Sequence, residues 1–242
     1  MKIAIVSDIH SNLEAVEAVD RVIEGIGVDA IYFVGDVVGY GPDPNSCVRW
    51  VMENAELAVM GNHDVAALGK IDIESFNPNA KKAIIWTSDQ LEDWAADYIT
   101  TLPMVMSHEG VTIVHANPQD PESWNYIFSL WDAEMNFSFF ENTFCFVGHS
   151  HQPVTVGMDG SGQVSVLPGD SFTVESGARY LVNVGSVGQP RDGNPDACFG
   201  LLDTDKGEFS ILRSSYEFKI TQEKMIKAGI PKPLADRLAE GR

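Results

Sequence analysis

Five short segments of this chain gather side chains that bind metal ions. They are Asp8-Ile9-His10 in IVSDIHSN, Gly35-Asp36 in YFVGDVVGYG, Gly61-Asn62-His63-Asp64 in AVMGNHD, His115 in VTIVHAN, and Gly148-His149-Ser150-His151 in FVGHSH. Five of the chain's six histidines lie in them. Imidazole mixed with carboxylate, without cysteine, suits a divalent ion such as Mn, Fe, Zn or Ni rather than a thiolate-built structural zinc site. In Asp8-Ile9-His10 and His149-Ser150-His151 the two-residue spacing puts both side chains on one face wherever the chain is extended. Gly35, Gly61 and Gly148 stand directly ahead of candidate ligands, where the chain must turn sharply.

Each segment follows an apolar run, and those runs must position the ligands. Lys2–Ser7, Ala30–Val34, Leu57–Met60, Val111–Val114 and Phe144–Val147 read as short buried strands. In an open α/β sheet, ligands bind outside the carboxyl ends of the strands, so five polar ends converge on one place. Ser11–Gly25 carries Leu13, Val16, Val19, Val22 and Ile23 at helical spacing, with Gly25 as a stop. Asn79–Ile99 reads as one long helix, punctuated by Pro103. In the second half Val154–Met158, Val164–Leu167, Tyr180–Val184, Ala197–Asp203 and Phe209–Arg213 read as strands, with Asp159-Gly160-Ser161-Gly162 as a hairpin turn. Two sheet-forming halves predict an α/β fold of two sheets packed face to face, flanked by helices.

Composition narrows the partners. The 242 residues, 44% hydrophobic and 21% charged, suit a folded chain with a sizeable core. Thirty-five acidic residues against 16 basic ones give a net charge of −19. That excludes long nucleic acid and anionic membrane surfaces, which call for clustered Lys and Arg. It also opposes small phosphate ligands, unless bound metal ions reverse the sign locally. No stretch approaches the roughly 18 apolar residues of a membrane span, and the run Ile3–Val6 is too short for a signal-peptide core. Cys47, Cys145 and Cys198 are scattered, with no C-x-x-C, and read as reduced thiols of a cytoplasmic protein. The tail, residues 217–242, is a helical extension with six basic and four acidic residues. It reads either as a solvated helix pair packed on the domain or as a partner-binding helix.

The order D-x-H, G-D, G-N-H-D, H and G-H-x-H resembles that of the calcineurin-like metallophosphoesterase superfamily, from Lys2 to Arg213. Asn183–Gly193, NVGSVGQPRDG, is similar to the small bacterial and archaeal branch of phosphodiesterases and diadenosine-tetraphosphatase-like proteins. The resemblance implies a single domain, 1–242, folded as a four-layer αββα sandwich of two mixed sheets. It implies two divalent transition metal ions, Mn foremost, with Fe, Zn, Ni or Co as alternatives. One would be held by Asp8, His10, Asp36 and His151, the other by Asp36, Asn62, His115 and His149, with Asp36 as the bridge. His63 is similar to the family's catalytic histidine, which is not a ligand, and Asp64 would orient it. The implied reaction is hydrolysis of a small phosphoester or nucleotide, foremost a phosphodiester, by a hydroxide held between the ions. A symmetrical dinucleoside polyphosphate hydrolase and a broad-specificity phosphatase are the alternatives. A catalytically silent metal-binding scaffold is the reading from another class, but every expected ligand position and His63 are filled.

Departures from related families narrow the substrate. The protein Ser/Thr phosphatases of this superfamily read G-D-x-x-D-R-G and R-G-N-H-E. Here Gly39-Tyr40 replaces D-R, Met60 the first Arg, and Asp64 the Glu. Arg is the bidentate partner of a terminal phosphate dianion, so its absence disfavours phosphoprotein monoesters. Arg191 is the one basic residue in a motif-like loop, as a phosphate contact or as a clamp on a carboxylate such as Asp192. Asn12 is a hydrogen-bonding group near the metals or the cap of the helix that starts there. Tyr40 lines a substrate mouth or packs a turn. His108 lies outside every motif and reads as a surface or hairpin residue. Trp124, Tyr126, Phe128 and Trp131 form core, or a cap that stacks a nucleobase over the metals.

Overall fold

The computed structural model describes residues 1–242. In chain order its elements are β1 (Lys2–Val6), α1 (Leu13–Ile26), β2 (Ala30–Phe33), α2 (Pro44–Asn54), β3 (Leu57–Ala58), α3 (Asn62–Ala67), α4 (Pro78–Gln90), α5 (Asp93–Thr101), β4 (Val105–His108) and β5 (Val111–Val114). There follow α6 (Leu130–Asn136), β6 (Phe144–Val147), β7 (Val154–Met158), β8 (Val164–Leu167), β9 (Ser171–Thr173), β10 (Arg179–Asn183), β11 (Ala197–Asp203), β12 (Glu208–Ser214), α7 (Phe218–Lys227) and α8 (Lys232–Asp236).

The strands make two six-stranded sheets, ordered β3-β2-β1-β11-β12-β9 and β4-β5-β6-β10-β7-β8. Both are mixed. β1 runs parallel to β2 and antiparallel to β11, and β10 runs parallel to β6 and antiparallel to β7. The two sheets do not divide the chain at its middle: β9, β11 and β12 complete the first, and β4 and β5 open the second.

Alternation along the central strands assigns the layers. On β1, Ile3 and Ile5 join the core between the sheets, while Ala4 and Val6 face the helices. On β6, Phe144 and Phe146 point between the sheets and Cys145 and Val147 point outward. These strands are buried on both faces, which is why they read as continuous apolar runs. Residues of α1, α2 and α5 cover the outer face of the first sheet, and Ala133, Phe137 and Phe140 cover that of the second. The result is the four-layer αββα sandwich. All three cysteines are buried and free, and no helix is long and apolar enough to cross a membrane.

The long helix expected over Asn79–Ile99 is broken. Leu91 and Glu92 are extended between α4 and α5, with ψ of 124° and 150°. No Gly or Pro marks the break. Asn45 of α2 makes it, donating to the Gln90 carbonyl at 2.9 Å and accepting from the Glu92 amide at 3.0 Å. The hairpin turn after β7 forms as expected, with the Gly162 amide donating to the Asp159 carbonyl at 2.9 Å.

The C-terminal extension is packed, not free. Met225, Ile230, Leu234, Ala235 and Leu238 form a small core with Tyr40 and with Ala80 and Ala83 of α4. Lys224 pairs with Glu14 at 2.5 Å and Asp43 at 2.9 Å, which fastens α7 to α1 and to the start of α2.

Candidate metal centre

The carboxyl ends of β1, β2, β3, β5 and β6 deliver the five segments to one buried place. Asp8, His10 and His151 form one group of ligand atoms within 4.8 Å of one another, and Asp36, His115 and His149 form a second. Asp8 Oδ1 lies 3.2 Å from His151 Nε2 and 3.6 Å from His10 Nε2. Asp36 Oδ2 lies 3.2 Å from His115 Nε2 and 3.6 Å from His10 Nε2, so it faces both groups. Asn62 is buried beside them with its Oδ1 unpartnered.

Hydrogen bonds to main-chain carbonyls fix the rings. His10 Nδ1 donates to Val38 O at 3.0 Å, His115 Nδ1 to Val34 O at 2.8 Å, and His151 Nδ1 to Gln189 O at 2.6 Å. His149 uses its other nitrogen, Nε2, on Trp124 O at 2.9 Å. A carbonyl only accepts, so each bonded nitrogen carries the proton. In the neutral ring the opposite nitrogen then offers a lone pair. His10 and His151 aim such lone pairs at each other, Nε2 to Nε2, across 3.0 Å, with Asp8 alongside. Electron-rich atoms crowded this closely suit a bound cation.

The titration behaviour agrees. Burial pushes the Asp36 carboxyl up, but His115 first, then His63 and His10, hold it below the ordinary carboxylate range. Burial also opposes charge on Asp8, and His151 and His10 overcome it in the same way. Burial pushes His115 down, yet Asp36 and then Asp8 outweigh it and raise the ring to about 10, so an ion at Nε2 would displace a proton there. Burial, with repulsion from His115, lowers His149 to about 4, and burial with Arg191 lowers His151 to about 3. The neutral rings of His149 and His151, the ionised carboxylates and the orphaned atoms Asp8 Oδ1, Asn62 Oδ1 and His115 Nε2 fit a pair of divalent ions.

The turns that hold the ligands are strained. Asp8, His10, Asp36, His149 and His151 all have positive φ, between 48° and 67°. Such conformations cost of order 1 kcal/mol or more each, and packing must impose them. Gly148 shows how tight that packing is, because a Cβ there would overlap Ser7 Oγ and Asp8 Oδ2.

His63 sits beside the ligands without joining either group. Its ring centroid is 4.8 Å from that of His10 and 4.4 Å from that of Tyr40, and its amide donates to Asp36 Oδ1 at 2.8 Å. Burial holds the ring well below the ordinary histidine range, so it is neutral near pH 7. A Cβ at Gly39 would stand 2.6 Å from His63 Nδ1, so Gly at this position makes room for the ring. Asp64 does not orient that ring, contrary to expectation. Its carboxylate accepts from the Asp36 and Gly61 amides at 2.9 Å and from the Val38 amide at 3.1 Å. It ties the second and third segments together by their backbones. Burial and the Asp36 charge raise it to about 7.

The expected substrate contacts divide. Asn12 is the helix cap, not a substrate group: its Oδ1 accepts from the Ala15 amide, and its Nδ2 donates to Gly188 O at 2.8 Å and Tyr216 Oη at 3.0 Å. Nothing on it is left for a ligand. Tyr40 packs a turn and also forms the wall beside His63. Arg191 does not clamp Asp192, which pairs with Arg213 instead. His108 ends β4, exposed at the hairpin.

The aromatic cluster is not one unit. The Trp124 carbonyl holds His149, and its ring lies 6.3 Å from that of His115. Tyr126 stacks on His149 at 4.0 Å and 18°, and Phe128 stacks on Tyr126 at 4.7 Å and 12°. Trp131 is exposed. Three further residues, Ser7 in the first segment and Asn183 and Ser186 in NVGSVGQPRDG, act on the ligand turns although sequence alone assigns them no site role. Ser7 donates to Asp8 Oδ2 at 2.7 Å, Ser186 to Asp8 O at 2.8 Å, and Asn183 to Gly148 O at 2.5 Å.

The sequence profile of the calcineurin-like phosphoesterase superfamily domain matches residues 1–207. The chain belongs to the calcineurin-like phosphoesterase superfamily. It is similar to uncharacterized protein MJ0912 of Methanocaldococcus jannaschii, 37% identical over 245 residues, covering 99% of this chain and 98% of that protein. The crystal structure of a metallophosphoesterase from Sphaerobacter thermophilus superposes with a TM-score of 0.87 at 40% identity, covering 100% of this chain and 99% of that one. A symmetrical bis(5'-nucleosyl)-tetraphosphatase from Chromobacterium violaceum is 29% identical over 125 residues, covering 48% of this chain and 43% of that protein. Calcineurin-like phosphoesterases are dimetal-dependent, and the two ligand groups give this member a place for each ion.

Proposed function

We propose that this chain is a phosphodiesterase acting on a small phosphoester, with a nucleotide as the preferred class. The carrying observation is the pair of buried ligand groups that Asp36 faces at once, with the neutral ring of His63 beside them. Asp8, His10, Asp36 and His151 would hold one ion, and Asp36, Asn62, His115 and His149 the other. Mn is the ion we expect, and Fe, Zn, Ni or Co fit the same donors. When bound, the ions polarise phosphoryl oxygens and make hydroxide available near neutral pH. The neutral ring of His63 would donate a hydrogen bond to the charge that develops on the phosphoryl or leaving oxygen, and proton transfer to the leaving oxygen would need the ring to be protonated first. Asp64 keeps the Asp36 and Asn62 turns in register. The ring of Tyr40 backs His63 and shields it from water. The free thiols fit a reducing compartment, and we place the chain in the cytoplasm.

The charge of the phosphorus group favours a diester. The second and third segments bring no arginine to the site, so a terminal dianion lacks its usual clamp. The nucleotide reading rests on Tyr126 and Phe128, which lead outward from His149 as a stacked pair. Tyr126 also borders a cavity of about 420 Å³ lined with Asn117, Gln119 and Asn125. An aromatic face beside amides suits a nucleobase, which needs both stacking and edge hydrogen bonds. The open face of that stack is the one on exposed Phe128, so Phe128→Ala should raise KM for a nucleotide ester by about tenfold, since stacking on one aromatic contributes about 1–3 kcal/mol. Its KM for bis(4-nitrophenyl) phosphate should move by less than about twofold, and equal rises would point to general destabilisation.

The function is tested with metal-reconstituted protein and a panel of bis(4-nitrophenyl) phosphate, 4-nitrophenyl phosphate, cyclic nucleotides and dinucleoside polyphosphates. We expect kcat/KM for the aryl diester to exceed that for the monoester by at least about tenfold. A monoester preference would replace this reading with a phosphatase. No turnover of any member would leave the metal-binding scaffold.

A further inference from the structure

The C-terminal extension reaches the rim of the metal centre with a cation. Arg191 Nη2 donates to Gln189 Oε1 at 2.7 Å, and Arg237 Nη1 donates to the same oxygen at 3.4 Å. Arg237 opens the last helical turn, just after α8. The Arg191 guanidinium lies 5.6 Å from the ring centroid of Tyr40, the residue packed at a tilt beside His63. The backbone of Gln189 holds His151. The two arginines therefore border both a metal-ligand turn and the wall of the catalytic pocket.

Neither guanidinium has a carboxylate within 4.0 Å. The acids nearest in sequence are already taken: Asp192 by Arg213, Asp236 by Lys232 and Glu240 by Arg242. In a chain of net charge −19, two arginines without a carboxylate partner here share one neutral oxygen. They repel each other, and each has donors to spare. Gln189 is 1% exposed, and its Nε2, a third donor, has no partner. Burial and the charge of Arg191 lower Arg237 from its ordinary value, so an anion between them would relieve the repulsion. Phosphate oxygens match the planar fork of arginine better than any other common anion except carboxylate.

We propose that Arg191 and Arg237 together bind a second phosphoryl group of the substrate, one that is not attacked, with Gln189 holding the two guanidinium groups side by side. This rests on the phosphoesterase reading above and refines its substrate class. The preferred ester carries a further phosphoryl group next to the scissile one, as an organic pyrophosphate does. The extension, residues 217–242, then contributes selectivity as well as packing.

The test is calorimetric binding of two probes to the metal-loaded protein with free metal in excess. The probes are AMP and its α,β-methylene diphosphate analogue, whose bridge resists cleavage. The analogue should bind at least about tenfold tighter than AMP, as expected for added charge-assisted hydrogen bonds. Arg237→Gln should erase most of that preference. Arg237→Lys, which keeps charge and packing, should retain part of it, and melting curves establish that both variants fold. Equal affinity of the parent protein for both probes would overturn the proposal, as would a preference that survives Arg237→Gln. A preference that Arg237 controls, in a protein that hydrolyses no phosphoester, would keep this site and remove the catalytic reading. Hydrolysis without the preference would do the reverse.

Discussion

Asp36→Ala is expected to empty the centre. The parent protein should retain about two ions per chain after gel filtration, and the variant less than about half an ion, read by elemental analysis. Hydrolysis should fall by about three orders of magnitude or more. The reason is position. Asp36 Oδ2 faces His115 at 3.2 Å and His10 at 3.6 Å, so it reaches both ligand groups more closely than Asp8, whose Oδ1 stands 3.9 Å from His115. Without Asp36, each ion would lose an anionic ligand and the two would repel each other more strongly. Asp36 Oδ1 also accepts from the His63 amide at 2.8 Å, so the alanine loosens that turn too. Asp36→Asn separates the two effects, because the amide oxygen can keep the His63 contact while the negative charge is lost. Both variants should lose metal. Retention of two ions in either would remove the bridging role.

His63→Ala should behave in the opposite way. Its metal content should stay near two ions per chain, while kcat falls by about 10²–10⁴, the usual contribution of a positioned acid or base. KM should change little. The structure separates the roles: the ring lies 4.8 Å from that of His10 but belongs to neither ligand group, and its Nδ1 has no protein partner. Steady-state kinetics together with elemental analysis decide the matter. A fully active variant would remove His63 from the chemistry, and a metal-free one would make it part of the ion-binding shell.

The ligands were legible because each follows a strand buried on both faces, and such strands write continuous apolar runs such as Ile3–Val6 and Phe144–Val147. Polar residues at the ends of those runs then stand out. What the sequence hid was decided by contacts distant along the chain. Asn45 breaks the helix between α4 and α5, although the local pattern of Gln90, Leu91, Glu92 and Asp93 contains no breaker. Asp64 reads as a partner for its neighbour His63, yet three backbone amides from two turns claim it. Asn12 carried two possible roles in sequence, and the arrival of Tyr216 and Gly188 from the far end of the chain leaves only the cap. Arg237 could not be connected with Arg191 by spacing at all, since Gln189 brings them together only after the extension folds back. The positive φ values of Asp8, His10, Asp36, His149 and His151 leave no trace in residue type, because none of these positions is glycine. The strain became visible only with the backbone in place.

The most direct test titrates metal-free protein with Mn²⁺ while following bound metal and hydrolysis of bis(4-nitrophenyl) phosphate in the same samples. Two buried ligand groups, with Asp36 proposed to serve both, predict two ions bound, with hydrolysis rising as the second equivalent is taken up. Full hydrolysis at one equivalent, or hydrolysis in the metal-free protein, would contradict the paired-ion account.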